Sequence, residues 1–172
     1  MANACVDADD FMTDSGGRLQ LRPHFAQTDQ TNFSHVLDGV DGTYEVINEL
    51  AAVVVPTDGL YVVNWGARGN VVNPSPAIGA IINASVFCGI AINGVFQFST
   101  ATMCTSVNQG ASTVDQPALG SEGTGSGSKV FALTAGQQIR LHGAMRRSAS
   151  SVCSILANND GQCFVSIHRI SG

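Results

Sequence analysis

The sequence predicts an all-β protein in which two antiparallel sheets pack face to face, and three observations carry that expectation. Charged residues are only 12% of the 172, and glycine occurs 19 times. A chain poor in Lys and Glu and rich in glycine and β-branched residues favours strands over helices. Residues 128–143 alternate with period two: Phe131 and Leu133 precede a Thr134-Ala135-Gly136-Gln137 turn, and Ile139 and Leu141 follow it. Read as a hairpin, this stretch gathers the four side chains on one face, which a second sheet must cover. Asn93-Gly94 stands between residues 87–92 and 95–98, and Asn-Gly between apolar alternations is the strongest short-range hairpin signal.

Residues 1–43 differ in character from the rest. Asp7, Asp9, Asp10 and Asp14 make the start acidic. A calcium loop beginning at Asp7 is excluded, because its twelfth position is Arg18 where a Glu is needed. Arg18-Leu19-Gln20-Leu21-Arg22 alternates as a short edge strand does, and Pro23 ends it. Residues 27–32 are polar and read as a loop; Asp38-Gly39 and Asp41-Gly42 read as turns. The alternation favours an arm that packs on another protein over a floppy terminus.

The dense apolar sequence begins near Tyr44. The run AAVVVP at 51–56 and the turn Thr57-Asp58-Gly59 lead into residues 60–65, which are apolar on both faces apart from Asn64. Tyr61, Val63 and Trp65 alternate with Leu60 and Val62, so one set lacks an evident intramolecular cover. A subunit interface is the natural candidate, with a third layer or the arm as alternatives. Arg68-Gly69-Asn70 and Asn73-Pro74-Ser75-Pro76 read as a loop, as do residues 146–151. Residues 105–128 are polar and rich in Gly and Ser, which predicts a flexible loop. The spacing GxxxxGK[ST] is absent there, and a strand follows where a phosphate loop needs a helix. Residues 163–170 form a last strand apolar enough to be central in its sheet.

Several function classes are disfavoured. The net charge of -5 gives no reason to expect nucleic acid. No apolar run reaches the roughly 20 residues of a membrane span, so no membrane insertion is expected. The start has neither a basic nor an apolar signal region, which predicts folding in a cytoplasm. The five cysteines lack CxxC spacing and read as buried, reduced thiols. His24, His35, His142 and His168 are never paired at ligand spacing, so no metal or other cofactor is expected. No Gly-x-Ser-x-Gly elbow occurs, and Glu45, Glu49 and Glu122 show no context for paired-carboxylate chemistry. The chain is therefore not expected to be an enzyme.

Four pieces occur in a telling order: Val54-Val55-Pro56-Thr57-Asp58-Gly59-Leu60-Tyr61, then Ile92-Asn93-Gly94, then Leu133-Thr134-Ala135-Gly136-Gln137-Gln138-Ile139-Arg140-Leu141, then residues 164–170. Across residues 44–172 this order resembles the jelly roll of the tumour-necrosis-factor and complement globular-head superfamily. The resemblance implies a two-sheet jelly-roll sandwich forming a homotrimer about an aromatic axis, for which Tyr61, Trp65 and Phe164 are the expected residues. Neither a collagen repeat nor an anchor precedes the domain, which departs from circulating and signalling members. Bacteriophage virions use the same jelly roll in fibre tips, minor tail proteins and head decorations, and the low charge is similar to theirs. Gly-Gly-Arg-Leu-Gln-Leu-Arg-Pro also resembles the starts of minor tail proteins of actinobacterial phages. The implied protein is a trimeric minor tail or fibre protein, made in the host cytoplasm and carried in the virion. Its expected partners are its own copies, other virion proteins, and optionally a host-surface glycan or protein. Residues 1–43 would dock it to the virion through Arg18, Leu19, Leu21, Arg22 and Phe25, with 44–172 pointing outward. The alternatives are a capsid decoration or head fibre, or a carbohydrate-binding module. The last would need exposed aromatics, among which Tyr44, Tyr61 and Trp65 carry hydrogen-bonding groups.

Overall fold

A computed structural model describes residues 11–13, 19–21, 25–30, 32–73, 81–110, 119–147, 151–158 and 163–171, with backbone only before residue 32. Strand β1 (Phe11–Thr13) pairs with β2 (Leu19–Leu21) in a ladder of their own. The sandwich is built from β3 (Phe25–Gln30), β4 (Phe33–Val36), β5 (Glu45–Val46), β6 (Val53–Val54), β7 (Gly59–Asn73) and β8 (Ile81–Ile92). It continues with β9 (Val95–Phe96), β10 (Thr102–Gly110), β11 (Leu119–Leu133), β12 (Gln138–Arg147), β13 (Val152–Ala157) and β14 (Cys163–Ser171).

Every pairing is antiparallel. In the first sheet Phe25 of β3 faces His168 of β14, and Phe33 of β4 faces Ala157 of β13. β3 and β4 thus follow one line, broken at Asn32, whose φ is 63°. β14 runs along β7 at residues 60–66 and β13 takes over at 68–72, while β11 covers the other edge of β7 from Gly59 to Asn73. The rank is β3/β4, β13/β14, β7, β11. In the second sheet β5 and β6 both pair with β12, β12 with β8, and β8 with β10. Two ranks of four, with the chain changing sheets at most connections, make an antiparallel jelly-roll sandwich.

The inward faces supply the core. Tyr61, Val63 and Trp65 of β7 meet Val165 and Ile167 of β14 and, across the gap, Ile90, Ile139 and Leu141; all are buried. The Tyr61 hydroxyl donates to the Thr57 carbonyl at 2.9 Å, which satisfies its polar end. The set that lacked an evident cover in the sequence is therefore the core set, and Tyr61 and Trp65 cannot line a subunit axis. Burial of the larger rings removes more apolar surface than burial of Leu60 and Val62 would.

Other expectations need correction. Phe131, Leu133, Ile139 and Leu141 do share the interior, but 128–143 is not a hairpin, since β11 belongs to the first sheet and β12 to the second. Its turn crosses between sheets. The Gly136 N–H donates to the Val55 carbonyl at 2.8 Å and the Ala135 N–H to Asp58 at 2.8 Å, so neighbouring loops satisfy this backbone. Gly136, at φ 82°, takes the left-handed conformation expected there. Strand β7 continues through Arg68, Gly69 and Asn70. Residues 25–36, placed in the arm by sequence, are the outer line of the first sheet, so this jelly roll begins before Tyr44. The Asn93-Gly94 hairpin is present, with both residues at positive φ and Ala91 opposite Phe96.

The largest correction concerns residues 105–128, of which 111–118 lie outside the described residues. The expected flexible loop is instead the end of β10 and the start of β11. Gly123, Gly125 and Gly127 alternate on the inner face of β11. A Cβ at Gly123 would lie 2.5 Å from the Cys104 carbonyl oxygen and one at Gly125 2.9 Å from that of Met103. The Trp65 indole lies against Gly127. Cys88, Cys104, Cys153 and Cys163 are free, buried thiols, as the spacing suggested; Cys5 lies outside the described residues.

Two outcomes follow from this packing. Gly127→Ala should lower unfolding free energy by about 1–3 kcal/mol through overpacking against Trp65, whereas the exposed Ser128→Ala should change it by about 0.5 kcal/mol or less. Urea titrations followed by the fluorescence of the single tryptophan measure both. Burial raises the Cys163 thiol from 9.0 to about 11, and burial also raises Cys153. Between those values the unfolded chain releases its proton first. Stability is therefore full below pH 9 and falls as pH rises toward 11, by up to about 1.4 kcal/mol per unit for each such thiol. Cys163→Ala should flatten that slope in the same titrations.

Candidate functional site on the two outer faces

The first sheet turns the even residues of β7 outward. Leu60, Val62, Asn64 and Gly66 lie beside Val130 and Ser128 of β11 and beside Phe164 and Ser166 of β14. The Phe164 ring lies on Gly66, where a Cβ would come within 2.6 Å of it. Leu60 and Val130 are 40% and 50% exposed. Charge is sparse in this patch, with Asp29 of β3 opposite Phe164 and His168 opposite Val62. Arg68 pairs with Glu122 and donates to Asn158 at 2.9 Å at one end, and His168 stands at the other. Of the residues expected at a subunit axis, Phe164 is on this surface, while Tyr61 and Trp65 are inside. Of those expected to dock the protein, Leu19 and Leu21 lie in β2, within its separate ladder with β1, and Phe25 lies in β3, at the outer line of the first sheet. Arg18 and Arg22 lie outside the described residues.

The second sheet carries an aromatic groove on its outer face. Gly89, on the central strand β8, lets the Phe96 ring fold back over the sheet; a Cβ there would be 2.7 Å from that ring. Phe96 stacks on Tyr44 with centroids 3.6 Å apart and planes at 16°. Phe98 stands edge-on to both, at 6.3 Å from Tyr44 and 5.3 Å from Phe96. It projects from a 3-10 turn, Phe98–Thr100, and is 78% exposed. Thr100 pins that turn, accepting from the Ile90 N–H at 3.0 Å and donating to the Gln97 carbonyl at 2.6 Å. The Arg146 guanidinium sits 5.7 Å over the Phe87 ring.

These groups enclose a pocket of about 490 Å³ lined by Tyr44, Phe87, Phe98, Met103 and Arg146. A second pocket of about 500 Å³ shares Phe87 and Arg146 and adds Asp41, Asn83, Ser85 and Arg147. Together they form a groove with an aromatic half and a polar half. Burial raises the Tyr44 phenol above its ordinary 10.0, with the nearby Arg146 opposing the shift. Burial lowers His142 below 6.5 against an opposing hydrogen bond with the Tyr44 main chain, so the ring beneath the cluster is neutral at pH 7. The groove can offer flat apolar faces, neutral hydrogen-bonding groups and a cation to one small ligand.

Sequence reasoning named Tyr44 only as an available ring and did not single out Phe87, Phe98, Met103 or Arg146. The alternation of Phe96 and Phe98 after the Asn-Gly turn was the available signal. A third polar group ties the first sheet to the second: His35 contacts Glu49 at 2.8 Å and Glu45 at 3.3 Å, and Glu45 accepts from the Gly39 N–H at 2.9 Å. Among the described residues no group of His, Cys, Asp or Glu side chains is placed to hold a metal ion.

No protein-family model and no curated protein matches the chain. Among solved structures, it is similar in outline to the Eiger TNF of S. frugiperda at 12% identity, covering 87% of this chain and 94% of that one, with a TM-score of 0.41. At that level the fold assignment rests on the chain's own strand pairing.

Proposed function

We propose that the chain is a non-catalytic, homotrimeric structural protein of a bacteriophage virion, a minor tail or fibre protein that presents one outer face to the host. The observation that carries this reading is the charge-poor centre of the first sheet's outer face. An antiparallel sheet with one face in water ordinarily alternates apolar and charged residues. Here Val62, Asn64, Gly66, Phe164, Ser166 and Val130 adjoin one another with no charge among them, and Asp29 and His168 stand at the rim, opposite Phe164 and Val62. Depletion of charge at the centre is the compositional mark of an interface core. A patch that meets itself closes a two-fold dimer, whereas a trimer sets it against a different surface of the next copy; three-fold closure is what the resemblance to trimeric jelly rolls implies. The low charge of the whole chain, 12%, supports the same reading. The stretch before Phe25, with Arg18, Leu19, Leu21 and Arg22, is the docking arm, gaining order on a partner surface.

Light scattering coupled to gel filtration should give a trimer that reductant does not dissociate. Val62→Glu or Phe164→Glu should yield a folded monomer, because an unpaired charge in an interface costs about 3–5 kcal/mol. A wild-type monomer or dimer at micromolar concentration overturns the assembly. A chain starting at Phe25 should still trimerise yet fail to enter particles during assembly; normal incorporation places the anchor elsewhere. Mass spectrometry and low-resolution imaging of purified particles test the tail position, and density on the capsid would assign a head decoration instead.

A further inference from the structure

We propose that the groove on the second sheet is a binding site for a saccharide bearing a carboxylate, a sugar of the uronic acid type. Its pyranose ring lies against Phe98 and Tyr44, and its carboxylate pairs with Arg146.

The aromatic half selects a flat, partly apolar ligand. Phe98 is the most exposed large hydrophobic residue described, at 78%, and Thr100 fixes the turn that holds it out. A ring kept in water on a pinned turn is positioned for a partner, and the C–H face of a pyranose matches its apolar surface. The volume of about 490 Å³ falls within the roughly 300–1,000 Å³ of small-ligand pockets.

The polar half decides the charge. Asn83 and Ser85 line it with groups suited to sugar hydroxyls. The Asp41 carboxylate accepts from the main-chain N–H of Arg147 at 3.0 Å, and the Arg147 guanidinium donates through Nη1 to the Ser151 carbonyl at 2.8 Å. Arg146 is thus the cation presented where the two halves meet, in a chain with only 8 Lys and Arg. A planar guanidinium matches a carboxylate in two parallel hydrogen bonds. A quaternary ammonium ligand is disfavoured, because Arg146 itself occupies the cation position over Phe87. An all-apolar peptide would leave the polar half unpaired.

The site stands apart from the assembly reading, since groove and assembly patch lie on opposite sheets. A monomer that binds the sugar would sink the trimer and keep the site; a trimer that does not bind it would do the reverse. The test titrates the full chain with methyl β-glucuronide and methyl β-glucoside, observing the aromatic NMR signals. The glucuronide should perturb Phe98 and Tyr44 and bind about ten- to hundredfold more tightly than the glucoside, the worth of a charge-assisted hydrogen bond. Arg146→Gln should abolish that preference, Phe98→Ala should weaken both sugars alike, and Ser128→Ala on the first sheet should change neither. Arg146 and Phe98 are exposed, so thermal melts of the variants should match the parent. Equal affinity for the two sugars, a preference that survives Arg146→Gln, or no glucuronide binding up to its solubility limit overturns the proposal. So does tighter binding of a blocked Phe-Asp dipeptide, which would make this a groove for acidic peptides.

Discussion

The sandwich closes because β11 carries hydrogen atoms where β10 crosses it. Stacked sheets ordinarily lie about 10 Å apart, a distance set by interdigitating side chains. At the β10–β11 edge the main chains themselves touch, with the Cys104 and Met103 carbonyls against Gly123 and Gly125. One step along, Gly127 opens the room that the Trp65 indole fills. The two sheets therefore converge at one edge and are wedged apart by a tryptophan just inside it. Each strand glycine costs roughly 0.5–1 kcal/mol relative to alanine. An unbroken ladder from Leu119–Asn73 to Leu133–Gly59 offsets that cost.

The same device builds both outer faces. On β7, Gly66 gives the Phe164 ring a seat flat on the backbone; on β8, Gly89 does so for Phe96. Each sheet thus places an aromatic ring over its central strands without taking that ring from the core. The results differ because the surroundings differ. Around Phe164 the neighbours Ser166, Asn64 and Ser128 leave a charge-poor surface, with Asp29 opposite it on β3. Around Phe96 stand Tyr44, Phe98, Phe87 and Arg146, which leave a recess. A charge-poor face suits contact with another protein surface, and a recess with a cation suits a small anionic ligand.

Period-two alternation made much of the fold legible. Phe131, Leu133, Ile139 and Leu141 do face inward, the Asn93-Gly94 turn is where its residues demand, and the strand near the C-terminus is flanked on both sides. Alternation reports which face a side chain takes but not which strand lies beside it, so 128–143 read as a hairpin although its turn joins two sheets. The glycines at 123, 125 and 127 carried the same period, yet their composition suggested a loop; small residues leave an alternation with little hydrophobic contrast. Residues 60–65 were apolar on both faces, and pattern alone could not assign the inner one, which cost the placement of Tyr61 and Trp65. The groove draws Tyr44, Phe87, Phe98 and Arg146 from four separate stretches, which the registers of β8 with β12, β12 with β5 and β8 with β9 bring together.

The separation of the two faces bears on how such a protein would work. If copies associate through the first sheet, the second sheet of every copy faces away from the axis. Each subunit then presents one groove outward, on a rigid scaffold and in a fixed spacing. A single shallow groove holding one sugar through a ring face and one ion pair binds weakly, because the cost of immobilising the ligand is set against few contacts. Linked sites that engage a repetitive surface together gain about 10²–10⁴ in avidity without any new contact. A virion surface protein gains from that arrangement, since individual contacts remain short-lived while the particle as a whole stays attached. Were both proposals to hold, assembly through the first sheet would multiply a groove that is modest by itself.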